Sequence, residues 1–186
     1  MRKTLCFDDV LLQPQYCTLE SRSEVDLTTP LDANENQTLK LPIISAPMDT
    51  VTGAEMAIAM HDAGGLGVLH RYNTIEEQVG LVTSIVSENP KAQFGAAVGI
   101  TGDYEDRARA LFEAGCKLFC LDVAHGHHSL MKSALRKLRQ TYGKNVHLMA
   151  GNIATLEAFN DLSDWGADSI RVGVGGGSIC STRVQT

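Results

Sequence analysis

The strongest constraint on the fold is a regular alternation of short apolar runs and helical patterns that begins near residue 41. Each apolar run is short enough to form a buried parallel strand. The predicted strands are 41–48, 66–70, 94–100, 117–124, 146–153 and 169–174. The predicted helices between them are 54–63, 74–89, 103–115, 129–142 and 155–165. Six such units in succession predict a parallel sheet with its helices outside.

Polar or glycine-containing clusters follow the predicted strands, including PMDT, HRY, DVAHG and AGN. In a barrel these strand ends share one face, where active sites are built. A doubly wound sheet would place its signature glycines after the first strand, but this chain has SAPMDT there. The pattern therefore favours a (β/α)8 TIM barrel, in the α/β class, represented by its first six units.

Residues 1–40 are predicted to form an N-terminal extension that packs on the barrel, and residues 41–186 the partial barrel itself. A closed barrel of this type needs eight strands. We therefore expect the chain to be a fragment or a split-gene product, or to require a second polypeptide that completes the sheet.

The charge and cysteine content exclude several classes of protein. The net charge is −6, so no broad basic surface exists for nucleic acid or an anionic membrane. Backbone amides of a glycine loop can still bind a phosphorylated small molecule. Five scattered cysteines argue against a disulfide scaffold, and no run approaches about 18 apolar residues. These features predict a cytoplasmic protein without a membrane span.

The segment GVGGGSICSTR, residues 173–183, is the most informative candidate site. Its glycines let the backbone approach a ligand closely. Ser178 can add a hydroxyl to a phosphate site, and nearby amides with Arg183 would favour the thiolate of Cys180 as a nucleophile. The alternative is a flexible tail that carries an incidental cysteine, because a glycine cluster alone is a weak signal.

Asp122 and Met48 stand at the ends of predicted strands, where a barrel binds its ligands. The carboxylate of Asp122 could bind a ribose hydroxyl or orient a cofactor. Its alternative role is to cap a loop. Met48 could rest against a ligand through its thioether, although core packing is the simpler interpretation.

Two further groups of residues favour structural roles. His125, His127 and His128 could suggest a metal site, but their loose spacing favours a solvated loop. Cys116 and Cys120 lie in apolar segments, so we expect buried, inert thiols.

Six ordered motifs together resemble the IMP dehydrogenase and GMP reductase family. They are FDDVLLQP (7–14), SAPMDTVT (45–52), GGLGVLHR (64–71), DVAHGH (122–127), AGNIAT (150–155) and RVGVGGGSICSTR (171–183). The match covers nearly the whole chain. It implies a (β/α)8 barrel, usually assembled as a homotetramer, that acts on a purine nucleotide with a nicotinamide cofactor.

The resemblance also implies the roles of individual residues. Cys180 matches the cysteine that attacks purine C2, and Thr182 a threonine implicated in proton handling. Asp122 matches a carboxylate near the nicotinamide riboside. Carbonyls that match Gly175, Gly177 and Cys180 hold potassium in the dehydrogenases. The positions implied in substrate binding are Met48 beside the purine, Ser178 at the phosphate, and Asn152 and Arg171 in the pocket.

Two departures from the family pattern bear on the reaction. Dehydrogenases commonly insert regulatory CBS modules after the second helix, whereas this chain continues directly into FGAAVG, as reductases do. Reductases, however, tend to carry asparagine where this chain has His125. We therefore predict a CBS-free IMP dehydrogenase that uses NAD, with an NADPH-dependent GMP reductase as the first alternative.

Two other hypotheses remain open. One is a non-catalytic fragment that binds nucleotide weakly or serves in assembly. The other, a metal-dependent hydrolase that uses the histidine cluster, has the weakest support. The family's last third carries the ribose-binding aspartate, further phosphate loops and a mobile flap. Because these features lie outside the sequence, we expect the isolated chain to show no turnover.

Overall fold

The computed structural model describes residues 9–32, 37–176 and 180. A short 3-10 helix, Arg22–Glu24, precedes the strands. The strands are β1 Thr29–Pro30, β2 Thr38–Leu39, β3 Ile44–Ser45, β4 Leu66–Leu69, β5 Phe94–Val98, β6 Leu118–Asp122, β7 His147–Ile153 and β8 Ser169–Val172. The helices are α1 Ala54–Asp62, α2 Ile75–Glu88, α3 Tyr104–Glu113, α4 Ser129–Tyr142 and α5 Leu156–Asp164.

Strands β3 to β8 form one parallel sheet in which every strand pairs with its neighbours in sequence. The strand order never reverses, as it would at the switch point of a doubly wound sheet. The sheet is a curled six-stranded half-barrel with helices outside, which confirms the predicted fold. We call the edge at which these strands begin the amino-end face, and the opposite edge the carboxyl-end face.

The strands are mostly shorter than the apolar runs suggested, and the first differs most. The run 41–48 pairs with β4 only at Ile44–Ser45. Beyond it the chain turns, because the hydroxyl of Thr52 donates to the carbonyl of Ala46 at 2.6 Å and shares a 2.9 Å hydrogen bond with the hydroxyl of Ser45. The segment SAPMDT is therefore largely a turn that brings the chain to α1.

The main core lies between the helices and the outer face of the sheet. Alternation along β6 and β7 sends every second side chain outward, where it is fully or almost fully buried against helix residues. Gly67 lets α1 pack closely on the sheet, because a Cβ there would lie 2.5 Å from Cα of Ala57 in α1. The large side chains of this core are Ile85, Leu111, Phe119, Leu121, Leu135 and Leu148.

A second cluster fills the inner face of the sheet. Leu66, Leu118 and Met149 project into it from three different strands, and Leu39 of β2 packs against them. The antiparallel hairpin of β1 and β2 thus covers part of the inner face. These two strands were not predicted, because two-residue strands are too short to show an alternating pattern.

The helix boundaries follow identifiable caps. The hydroxyl of Thr74 accepts from the backbone N–H of Glu77, and the carboxylate of Glu77 accepts from the backbone N–H of Thr74, which forms a capping box at α2. Helix α4 spans Ser129–Tyr142, as predicted, and is followed by Gly143, whose φ is +57°. In the described part of the chain, every helix is too short or too polar to cross a bilayer.

Candidate active site

Asp122 and Arg171 meet on the inner side of the carboxyl-end face. Asp122 is the last residue of β6 and Arg171 lies in β8, with β7 between them. Nη1 of Arg171 donates to Oδ1 of Asp122 and approaches Sγ of Cys120 at 3.7 Å. The side chain of Asp122 is 22% exposed and that of Arg171 is 29% exposed, so a ligand can reach both. Asp122 thus pairs with a cation across the sheet, an interaction that the loop-capping alternative does not include.

Cys116 and Cys120 are fully buried, which confirms the prediction for these two thiols. Burial raises the pKa of each thiol to about 12, against smaller opposing effects of neighbouring groups. Both are therefore protonated near neutral pH and poor nucleophiles. The other described cysteines are Cys17, which is exposed, and Cys180, which is half-buried.

Asn152 joins the ends of β6 and β7. Its backbone N–H donates to the carbonyl of Val123 at 2.8 Å, and its carbonyl accepts from the N–H of Gly126 at 2.7 Å. The Gly151–Asn152 peptide bond is cis. The side-chain Oδ1 of Asn152 is buried and has no hydrogen-bond partner in the part of the protein that the structure describes. This oxygen can accept from a ligand N–H or O–H.

His70 and Arg71, directly after β4, also belong to this face, although the sequence analysis did not select them. Nη2 of Arg71 donates to the carbonyl of Asp122 at 3.3 Å. Nδ1 of His70 and Nε of Arg71 are buried, and within the described ranges neither has a hydrogen-bond partner. The sequence signal for these two residues was the polar cluster HRY at the end of a predicted strand.

These unpartnered atoms distinguish the carboxyl-end face as a place for a ligand. Leaving a buried polar group without a hydrogen bond costs about 1–3 kcal/mol. A ligand that offers donors to Asn152 and an acceptor to Arg71 would recover that cost. The Asp122 carboxylate adds two acceptor oxygens of the kind that bind ribose hydroxyls. The arrangement therefore suits a polar, hydroxyl-bearing molecule.

The remaining predicted positions are described only in part. Met48 is half-exposed in the turn after β3, and its carbonyl accepts from the N–H groups of Val51 and Thr52 at 3.0 Å. Gly175 has a φ of +61°, a left-handed conformation that favours glycine. Three predicted residues, Gly177, Ser178 and Thr182, lie outside the described residues.

Two of the three clustered histidines have structural partners. Nε2 of His127 shares a 2.8 Å hydrogen bond with Oδ2 of Asp161, and its ring stacks on Trp165. Nδ1 of His128 accepts from the N–H of Leu130 and caps α4. Among the described residues, no group of three or more His, Cys, Asp or Glu side chains could hold a metal ion.

Comparison with known proteins shows which family this chain resembles in sequence and structure. Residues 4–186 match the model of the IMP dehydrogenase / GMP reductase domain. A solved structure of inosine 5'-monophosphate dehydrogenase from Legionella pneumophila superposes with a TM-score of 0.87 and 44% sequence identity. That match covers 99% of this chain and 55% of the Legionella chain.

Curated relatives carry both names of the family. Inosine-5'-monophosphate dehydrogenase of Cryptosporidium parvum is 34% identical over 98% of this chain, and GMP reductase of Paracidovorax citrulli is 34% identical over 97%. The chain spans 54% of each of these relatives, about half of their length. The comparisons thus match this chain to part of the longer proteins.

Proposed function

Because the chain belongs to the IMP dehydrogenase / GMP reductase family, we propose that its carboxyl-end face serves the NAD-dependent oxidation of IMP to XMP. One observation carries this proposal. The Asp122–Arg171 pair and the unpartnered Oδ1 of Asn152 occupy the end of the half-barrel where such barrels bind ligands. Dehydrogenases stand both among the curated relatives and as the structural neighbour from Legionella, which supports oxidation as the direction of the reaction.

The described residues fit a nicotinamide nucleotide. Asp122 would accept hydrogen bonds from the hydroxyls of the nicotinamide riboside, and the hydrogen bond from Arg171 orients that carboxylate. Oδ1 of Asn152 would accept from an N–H or O–H of the bound nucleotides. When bound, the nicotinamide accepts the hydride that leaves purine C2.

We assign the covalent step to Cys180. Its sulfur adds to C2 of IMP and converts an unreactive aromatic carbon into a tetrahedral hydride donor. After the hydride has left, water attacks C2 and the C–S bond breaks, which releases XMP and restores the thiol. Thr182 would assist in proton transfer, Ser178 would bind the phosphate, and Met48 would pack near the purine.

We further propose a potassium site and an assembly state. Carbonyls of Gly175, Gly177 and Cys180 would hold a potassium ion, and the left-handed φ of Gly175 suits a tight turn for that purpose. We also propose that residues 1–40 form an extension to a barrel domain 41–186. The complete barrel would assemble as a homotetramer.

Protection of thiols by substrate tests the role of Cys180. With iodoacetamide, we expect Cys17 and Cys180 to be alkylated in the native chain and Cys116 and Cys120 to remain unmodified. IMP should slow alkylation of Cys180 at least about tenfold and leave Cys17 unchanged, as peptide mass spectrometry would show. Cys17→Ala is the matched control. Equal rates at Cys180 with and without IMP would contradict the proposed site.

Intact mass spectrometry distinguishes the two reactions of the family. Incubation with IMP and NAD should give a covalent nucleotide adduct that Cys180→Ala abolishes and Cys17→Ala retains. An adduct that forms only with GMP and NADPH would identify a reductase, which the 34% identity with the Paracidovorax enzyme keeps as the second candidate. The absence of any adduct or nucleotide binding would favour a non-catalytic fragment.

A further inference from the structure

We propose that Gln78 and Arg107 are positioning residues that hold segment 70–73 of the candidate site in place. This segment connects β4 to α2 and carries His70 and Arg71, each of which buries one side-chain nitrogen, Nδ1 and Nε respectively. The inference rests on the proposed function of the carboxyl-end face and deepens it. We refer to Gln78 and Arg107 together as the polar clamp.

Gln78 anchors the first residue of this segment. Its side chain, in the first turns of α2, is fully buried between two strand ends. Nε2 donates to the carbonyl of His70 at 2.9 Å and to the carbonyl of Ala97 in β5 at 2.9 Å. Both amide hydrogens are thereby used. The backbone at His70 is therefore tied directly to the neighbouring strand.

Arg107 anchors the last residue of the segment. It lies in α3 and is only 6% exposed. Nη2 donates to the carbonyl of Asn73 at 3.0 Å, and Nη1 donates to Oε1 of Gln78 at 2.8 Å. Asp103 balances its charge at 2.9 Å. The clamp thus fixes the backbone at both ends of a four-residue segment.

The direction of Arg71 depends on this backbone. From the end of β4 its guanidinium passes close to Gly99, after β5, and donates to the carbonyl of Asp122 in β6. A side chain that spans two strand spacings is sensitive to small rotations at its own Cα. Displacement of segment 70–73 would therefore move Arg71 away from Asp122.

Stability alone does not account for a buried amide and guanidinium at this place. Apolar side chains of similar volume could fill the space between α2, α3 and β5 without desolvating polar groups. Apolar side chains, however, could not donate the hydrogen bonds that hold the carbonyls of His70 and Asn73 in one orientation. Directional hydrogen bonds to the backbone are the property that a site-forming segment needs.

The test compares Gln78→Met with Arg109→Met. Gln78→Met keeps a similar volume but removes all three hydrogen bonds of the Gln78 side chain. Arg109→Met is the control, since Arg109 lies in the same helix as Arg107 and pairs with Asp106 in solvent. We expect amide hydrogen exchange of peptides that cover 70–73 to accelerate about tenfold or more in Gln78→Met only. Titration with IMP and with NAD should show affinity for at least one of them about tenfold weaker.

Arg107→Lys provides a second variant in case Gln78→Met does not fold. Lysine keeps the charge beside Asp103 but cannot reproduce the planar fork that reaches Gln78 and Asn73 together. It should accelerate exchange at 70–73 and leave peptides from α4 and β7 unchanged. Uniformly faster exchange in both variants would show a purely structural role and overturn the inference.

The outcome also separates this inference from the proposed function. If the unaltered chain binds neither IMP nor NAD, the proposed function fails, while the exchange rates still decide whether the clamp orders segment 70–73. If the unaltered chain binds a nucleotide and both clamp variants bind it equally well, the positioning role is refuted and the proposed function stands.

Discussion

The two faces of the half-barrel differ in how they satisfy the polar groups that they bury. At the amino-end face, His147 shares a 2.7 Å hydrogen bond with Ser169 and lies 3.5 Å from Asp32, while Arg139 is paired with Asp168. At the carboxyl-end face, buried atoms without partners in the described chain are Nδ1 of His70, Nε of Arg71 and Oδ1 of Asn152.

The difference indicates which face serves stability and which serves binding. A buried polar group that finds a partner within the protein contributes to one folded arrangement. A buried group that finds none weakens the fold unless a ligand completes it. Barrels place their ligands at the carboxyl ends of the strands, so the unsatisfied face is the one expected to bind. Substitutions on the two faces should therefore have opposite signatures in stability and affinity.

The largest effect on stability is expected for Arg139→Met on the amino-end face. Arg139 pairs with Asp168 and donates to the carbonyls of Gly143, Val146 and Gly166. Removal of the guanidinium leaves the partly buried carboxylate of Asp168 without its ion pair and three carbonyls without the hydrogen bonds from Arg139. We expect a loss of about 3 kcal/mol in the free energy of unfolding, measured with urea.

The matched control for Arg139→Met is again Arg109→Met, whose ion pair with Asp106 is 65% exposed on both sides. Exposed pairs contribute little, so the change should stay within about 0.5 kcal/mol. Nucleotide affinity per folded molecule should not change in either variant. A loss of stability equal to that of the control would contradict the proposed role of the amino-end face.

The opposite signature is expected for Asn152→Ala on the carboxyl-end face. Since Oδ1 of Asn152 has no partner in the described structure, its removal should change the free energy of unfolding by less than about 1 kcal/mol. Loss of an acceptor for the ligand should weaken nucleotide affinity about tenfold. Urea unfolding and nucleotide titration measure the two quantities. Lost stability with unchanged affinity would place Asn152 in the scaffold.

The fold was predictable from the sequence because each structural unit repeats one physical pattern. Buried strands such as β5 and β6 appear as continuous apolar runs, and α4 appears between a polar start and Gly143. The hairpin of β1 and β2 was missed, since its contact with the sheet depends on long-range packing of Leu39. Local patterns do not encode such a contact.

In the candidate site, the position of Asp122 at a strand end was predictable from the residues alone, whereas Arg171 was named only through the family resemblance. Asp122 and Arg171 both end on the inner face, as their alternation with buried neighbours requires. Their mutual pairing, however, depends on the register of three strands, which the sequence does not show. Arg71 was missed for a similar reason: its bond to Asp122 crosses the end of β5. Pairwise contacts across a sheet follow from its curvature and register.

The smallest predicted effect is a pH dependence of stability that arises from His147. Burial lowers the pKa of His147 and Arg139 acts in the same direction, while Asp168 and Asp32 oppose them. The folded state therefore favours neutral imidazole, whereas the unfolded chain regains a pKa of about 6.5. Below that pH the unfolded state binds more protons, so stability should decrease as the pH falls.

Urea unfolding at several values between about pH 7.5 and pH 5 checks this dependence, with His147→Gln as the comparison. Glutamine keeps a hydrogen-bonding group near Ser169 but does not titrate, so the variant should lose the His147 contribution to the slope. One proton would give at most about 1.4 kcal/mol per pH unit, and a partial shift gives less. Identical slopes in both proteins would mean that His147 is charged to the same extent in the folded and unfolded states. In that case the imidazole would be protonated in the folded protein only below about pH 6.5, and an ion pair with Asp32, 3.5 Å away, would contribute to the amino-end face only in that range.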